Sequence, residues 1–401
     1  MIGSHLQHQI LSTFYFEKTL SIVELSSKLD KSVPYVTKAL IELVEAGFIT
    51  ESGHAPSSGG RKPLMYSLNA GTLYIVAVAM DQLYLKITIT DILKNPVVPV
   101  ETHELKLLNN TEALPKLVFI INDVIQRSGV DRDKIIGAGI GTPGFTNHKL
   151  GINYSYLQPP GDESFQGYME RELAIPVGID NDSSLIALSE LKFGLAKGKE
   201  EVMVINIGWG VGLGMIVNGV LFRGFTGYAG ELSHIPISES DILCDCGKRG
   251  CLETEGTLKV VTDKAIKGIH EGNISGLKYE DDPEKMSEAI MVAANKGDQY
   301  AIELLSDMGY KIGKAIAILI HIMNPELVVL SGRGAAVGKI LLAPIQQALN
   351  KYCIPRLSEH TDVKVSTIGR KAELTGAAAL VMENFGKPPV LKKENFKEEF
   401  N

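Results

Sequence analysis

The chain has 401 residues, 45% of them hydrophobic and 22% charged, an ordinary globular composition with material for two or three domains. No apolar run is long enough to span a bilayer, and the N-terminus lacks the charged and apolar segments of a secretion signal, so a cytoplasmic protein is expected. The net charge is −7, and residues 1–70 carry six basic and six acidic side chains, so nucleic-acid binding cannot be argued from bulk charge and has to rest on pattern.

Three short helical patterns open the chain. The first runs from about Gln7 to Phe16, with Ile10, Leu11, Phe14 and Tyr15 at helical spacing. The second starts at Ser21 with Glu24 three residues on, a capping box, and is expected to bury Ile22, Val23 and Leu25. Asp30-Lys31 makes a turn. The third starts at Ser32, places Pro34 in its first turn where no amide hydrogen is needed, and runs to Ala46 before Gly47. Strands at Phe48–Thr50 and Leu64–Leu68 flank a polar loop with Arg61 and Lys62 at its tip.

Helix, tight turn, helix and hairpin make a winged helix-turn-helix. On its third helix Val36, Leu40, Leu43 and Val44 are expected to face the core. That leaves Ser32, Tyr35, Thr37 and Lys38 for a major groove, with Arg61 and Lys62 at phosphates or in the minor groove. The rival reading is a winged helix used for protein contacts.

From Leu73 the texture becomes α/β. Strands at Tyr74–Met80, Tyr84–Ile92 and Val97–Leu107 precede a helix over Thr111–Arg127 and a strand at Ile135–Gly141. The order recurs: strands at Val202–Ile207, Gly212–Val217 and Val220–Arg223, helices between Leu258 and Met323, then a strand at Leu327–Ser331. This repeat predicts two related lobes with a cleft between them. Glycine-rich turns follow strands at 137–144 and 208–214, where backbone could approach phosphate or sugar.

Between the second set of strands and the helices, Cys244, Cys246 and Cys251 fall within eight residues, with His234 ten residues before the first. Three thiolates and an imidazole suit a closed structural zinc site, and Gly247 and Gly250 let a short loop bend around the ion. A disulfide is the rival, though nothing else points to an oxidising compartment. Cys353 stands apart with no assigned role.

Residues 71–385 resemble the ROK family of repressors and sugar kinases, which have the actin-like ATPase fold. The resemblance rests on Gly139-Ile-Gly-Thr-Pro-Gly144, Asn181-Asp182, the hairpin 208–214, Gly227-Tyr-Ala-Gly-Glu231-Leu-Ser-His234, Cys244-x-Cys246-Gly-x-x-Gly-Cys251-Leu-Glu253, and Asn324-Pro325 leading to Gly332 and Gly334. With the winged helix in front, the chain is similar to the family's repressor branch. The resemblance implies sugar contacts at Asn181, Asp182, Glu231, His234 and Glu253, with Asp182 as the base of a kinase reaction. Carboxylates and amides suit a ring of hydroxyls. It also implies a homodimer or dimer of dimers, operator DNA and a sugar or sugar phosphate as effector.

One departure matters. Where the family's kinases carry a Gly-Gly-Thr hairpin for ATP phosphates, this chain reads Asp81-Gln82-Leu83-Tyr84, and the second hairpin carries Trp209, the only tryptophan. Both changes oppose phosphate binding, so the expectation is a sugar-responsive regulator without ATP. The alternatives are an ATP-dependent hexose kinase with an accessory DNA-binding domain, and a zinc-stabilised interaction protein with neither activity. The domain boundaries expected are 1–70, 71–385, and a tail over 386–401.

Overall fold

The computed structural model describes residues 2–54 and 62–387. The wing tip, Arg61 included, and most of the tail lie outside the described residues. Contacts divide the chain into two compact units, one of residues up to Asp182 together with those from Ala377 onward, the other Ser183–Gly376.

The first unit opens with helix α1 (His5–Glu17), strand β1 (Thr19–Ser21), α2 (Ile22–Leu29), α3 (Val33–Glu45), β2 (Ile49–His54) and β3 (Leu64–Leu68). The two expected N-terminal signals act: Ser21 and Glu24 form the capping box of α2, and Pro34 lies in the first turn of α3. A further box that the sequence reading lacked, Ser4 with Gln7, starts α1 earlier than its apolar spacing suggests. Ile10, Leu11, Phe14, Leu25, Val36, Leu40 and Leu43 make a buried core. Three burial expectations fail. Val23 is 67% exposed, because α2 has only two turns and turns Leu25 and Ser26 inward. Ile22 and Val44 are only half-buried. The sheet order is β1-β3-β2, so the hairpin gains a third strand that the sequence reading lacked.

The chain continues with β4 (Tyr74–Met80), β5 (Tyr84–Asp91), β6 (Pro96–Glu104), α4 (Ala113–Ser128), β7 (Ile135–Thr142), the small ribbon β8 (Thr146–Asn147) and β9 (Ile152–Asn153), α5 (Phe165–Leu173) and β10 (Val177–Asn181). These give a sheet of order β10-β7-β4-β5-β6. The first three strands pair antiparallel and the last two parallel. Its core is aliphatic, built from strand residues such as Val78 and Ile140 with Leu117, Ile121 and Val124 of α4.

The second unit repeats this wiring. Helix α6 (Asp182–Phe193) leads into β11 (Val202–Ile207), β12 (Val211–Val217) and β13 (Val220–Phe222), then α7 (Leu258–His270), α8 (Pro283–Asn295), α9 (Gln299–Met323) and β14 (Leu327–Ser331). After these come α10 (Lys339–Tyr352), α11 (Pro355–Ser358), β15 (Asp362–Val365) and α12 (Ala372–Asn384). The sheet order is β13-β12-β11-β14-β15, again three antiparallel strands followed by two parallel ones. The expected internal repeat is therefore present strand for strand.

Helix α9 buries one face along most of its length, from Ala301 to Ile320. It packs against α10 so closely that a Cβ on Gly313 would lie 2.9 Å from the Ile345 backbone. Only glycine admits that approach. Cys353 is buried in the same core. Among the described residues no helix is long and apolar enough to cross a membrane.

The first unit ends where it began. From Ala377 onward α12 belongs to it, and the Ser12 hydroxyl of α1 donates to the Met382 carbonyl at 3.0 Å, while His8 stands edge-on to Phe385. The turn between β5 and β6 supplies another hold on α1. Lys94, in left-handed conformation, donates to the Tyr15 carbonyl at 2.5 Å and sits 4.1 Å from the Tyr15 ring centre.

Candidate metal and sugar sites

The metal candidates converge. One ligand atom each from His234, Cys244, Cys246 and Cys251 lie within 4.8 Å of one another. The Cys246 and Cys251 sulfurs are 3.6 Å apart, and Cys244 Sγ is 3.7 Å from His234 Nδ1. A tetrahedral cation with metal–sulfur bonds of about 2.3 Å has ligand edges of roughly 3.7 Å, so the spacing fits one ion in the middle. All four cysteines are reduced.

The loop reaches this shape through short backbone contacts. Pro236 bridges to Cys251 and Leu243 to Arg249, while the Cys244 amide donates to the Lys248 carbonyl at 2.8 Å. Gly250, at positive φ, lies against the Ser238 carbonyl, where a Cβ would stand 2.3 Å away. Burial pushes the Cys251 thiol up to about 12 and raises Cys244 as well. Cys246 is lowered by the Lys248 amide. A dication is what would hold the buried pair as thiolates.

The base of the loop is pinned to α9. Lys314 donates to the Ile237 carbonyl at 2.7 Å, and Lys311 lies 3.3 Å from Glu255, which accepts from the Ser238 hydroxyl.

With Nδ1 turned to the cysteines, His234 presents Nε2 to Glu231, 3.9 Å away. Burial raises the Glu231 carboxyl and lowers the His234 imidazole. Glu253 is pushed up to about 7, chiefly by burial and partly by the Asp245 and Glu231 charges. It accepts from the Val211 amide at 3.3 Å, against the second glycine hairpin. The second unit thus gathers Glu231, His234 and Glu253 around the metal loop.

Asn181 and Asp182 belong to the first unit. Asn181 closes β10 and donates to the Gly144 carbonyl at 3.1 Å, tying it to the Gly-Thr-Pro-Gly turn. Asp182 opens α6. Sequence reasoning missed Asn153, which is fully buried. Its amide donates to the Thr142 and Thr146 hydroxyls and to the Pro143 carbonyl, and its carbonyl accepts from the Ser155 and Tyr156 amides. It is the internal brace of that turn, and no sequence spacing signals it.

The two phosphate hairpins are occupied by their own groups. The Asp81 carboxylate accepts from the Leu83 and Tyr84 amides, both at 2.8 Å. The carbonyls of Gln82 and Leu83 accept from Leu107 and Leu105. In the second hairpin Gly208 donates to the Gly210 carbonyl at 2.9 Å, and Val211 to Glu253. The Leu83 and Tyr84 amides of the first turn and the Gly208 and Val211 amides of the second are thus engaged within the chain.

Of the DNA candidates, Ser32, Tyr35, Lys38 and Lys62 are exposed. Ser32 stands at the start of α3 without making a side-chain cap bond. Thr37 is half-buried, and its hydroxyl donates to the Val33 carbonyl at 2.7 Å.

Duplicated three-plus-two sheets behind a winged helix define a DNA-binding head on an actin-like, sugar-kinase-type body. The ROK family profile matches residues 100–384, and the chain belongs to the ROK family. It is 27% identical over 385 residues to the xylose repressor of Caldicellulosiruptor bescii, covering 94% of each chain. It is 33% identical over 256 residues to the glucokinase of Halalkalibacterium halodurans, covering 63% of this chain and 78% of that one. Among solved structures, a ROK family transcriptional regulator described as a homologue of the E. coli Mlc protein superposes with a TM-score of 0.75 at 25% identity, over 96% of this chain and 97% of the other.

Proposed function

We propose that the protein is a sugar-responsive transcriptional repressor. Residues 1–70 read operator DNA, residues 71–385 bind a sugar or sugar phosphate, and 386–401 form a tail. The observation that carries this reading is the Asp81 carboxylate closing its own hairpin, in a body that keeps Glu231, His234 and Glu253 beside the metal cluster. Hydroxyl-binding groups are present and these hairpin amides are engaged within the chain, which is the chemistry of a sensor.

In this reading zinc is held by His234, Cys244, Cys246 and Cys251. It shapes the loop and fixes His234 by Nδ1, leaving Nε2 for a sugar hydroxyl. Asn181, Asp182, Glu231 and Glu253 supply the remaining contacts. The protein acts in the cytoplasm as a homodimer, whose paired heads match the two halves of a palindromic site. Sugar binding controls DNA affinity by favouring one lobe arrangement over another.

The test is ATP turnover and thermal stability against a panel of aldoses and N-acetylhexosamines. A sensor is expected to show sugar-dependent stabilisation without turnover. The second reading, a hexose kinase, draws on Asp182 at the start of α6 and on the glucokinase relative. Turnover on the order of 1–100 per second would establish it instead.

A further inference from the structure

The reading helix α3 carries an unexpected surface. Val33, Tyr35 and Ile41 are 43%, 56% and 50% exposed, and Val33, Pro34, Thr37, Lys38, Ile41 and Glu42 line one shallow groove. Val33, Thr37 and Ile41 recur every fourth residue and so share a face, and the Thr37 hydroxyl is already engaged by the Val33 carbonyl. That face, two exposed aliphatic side chains with a threonine between them, is about 12 Å long, the rise of three to four base pairs.

Of the long basic and amide base-reading side chains the same helix carries Lys38 alone. Between Ser32 and Ala46 there is no Arg, Asn, Gln or His, so neither the bidentate guanine contact of arginine nor the bidentate adenine contact of an amide can be made from it. Charge still favours DNA as the occupant. Residues 31–41 hold Lys31 and Lys38 and no acid, and the first turn of α3 has no acidic residue. The Glu42 carboxylate at the far end accepts from the Gln7 side chain at 2.9 Å. A cationic helix start with an apolar stripe matches a phosphate backbone flanking thymine methyls, the one apolar group in the major groove.

We propose that α3 specifies its operator by packing Val33, the Thr37 methyl and Ile41 against thymine 5-methyl groups, with Lys38 and Tyr35 as its polar contacts. This rests on the repressor reading above. The half-site then contains thymines at fixed positions over three to four steps, and discrimination there comes from methyl burial rather than paired hydrogen bonds.

The test uses the full-length protein and selection from a library of random duplexes. Each thymine of the enriched half-site is then replaced by deoxyuridine, which removes only the methyl. Affinity is expected to fall about fourfold per contacted methyl, the effect of exposing one buried methyl-sized group. Val33→Ala and Ile41→Ala are expected to lose the thymine-over-uracil preference at their own positions while keeping non-specific affinity. Enriched duplexes that bind equally with uracil, or whose core is G·C only, would overturn the inference and leave DNA reading intact. Enrichment of no sequence would overturn both.

Discussion

Single residues carry the distinction between a sensor and a kinase. Asp81 occupies its own turn, so the hairpin is satisfied without any ligand. In the metal loop the decisive residue is Cys246, the exposed member of the cluster. Cys246→Ser is expected to abolish stoichiometric zinc and to weaken sugar-dependent stabilisation, with operator affinity changing much less. Metal analysis, thermal shift and a binding assay read the three separately; an equal loss of all three would point to global unfolding. The cysteine spacing was legible because ligands close in sequence need only a short loop to meet. Asn153 was not legible, since its five partners come from a turn whose path only the fold determines. Thr37 was expected to face outward and is half-buried, and the engagement of its hydroxyl by Val33 is a matter of rotamer.

At the scale of elements, periodicity located the elements from α1 to β7 apart from β1, and the strands β11 to β14, but it left α5, α6, α10 and α12 unassigned although they run to 9, 12, 14 and 13 residues. The short strands it missed share a cause. Strand β1 has three residues and β15 four, too few to display alternation, and both exist because a neighbouring strand offers an edge. Helix α6 holds a different kind of feature. Glu190 is buried within it, accepts from the Leu195 amide at 3.0 Å and from the Ser366 hydroxyl, and has its carboxyl raised by that burial. A raised acid keeps its proton longer in the folded state than in the unfolded one. Glu190 therefore costs stability as pH rises from the ordinary carboxylate value to its raised folded value. Glu190→Gln is expected to flatten the stability–pH curve in that window, read by denaturation at several pH values; a slope unchanged from the parent would show that Glu190 ionises normally.

The hold of the β5–β6 turn on α1 makes a second test at this scale. Lys94→Ala removes the bond to Tyr15 and the contact with its ring, and is expected to destabilise the first unit by about 1–2 kcal/mol. Denaturant unfolding measures it, and a change under a few tenths would mean that the docking of α1 rests on its apolar core alone.

For the whole molecule, electrostatics separate the head from the body. The chain is acidic overall, so affinity for DNA depends on a few placed cations rather than on a general field. Lys38→Ala and Lys62→Ala are each expected to lower the slope of log affinity against log salt by about 1 if each contacts a phosphate. An unchanged slope for Lys62→Ala would remove the wing base from the interface. The duplicated sheet was readable as a repeat of strands and helices, because both copies keep the same order of elements. Which unit the last helix joins was not readable, since sequence order places it with the second.

That return of the chain sets the timing of assembly. Helix α1 leaves the ribosome well before Met382 and Phe385, which it touches; Ser12 and Met382 are 370 residues apart. At about 5–20 residues per second the interval is on the order of 20–80 seconds. During that time the reading head is made but its seat is incomplete. A chain that stops early, by nonsense mutation or by clipping near Gly376, carries the head without the α12 contacts. Quality control of the regulator is thus built into its topology: residues made late complete the support of a helix made early.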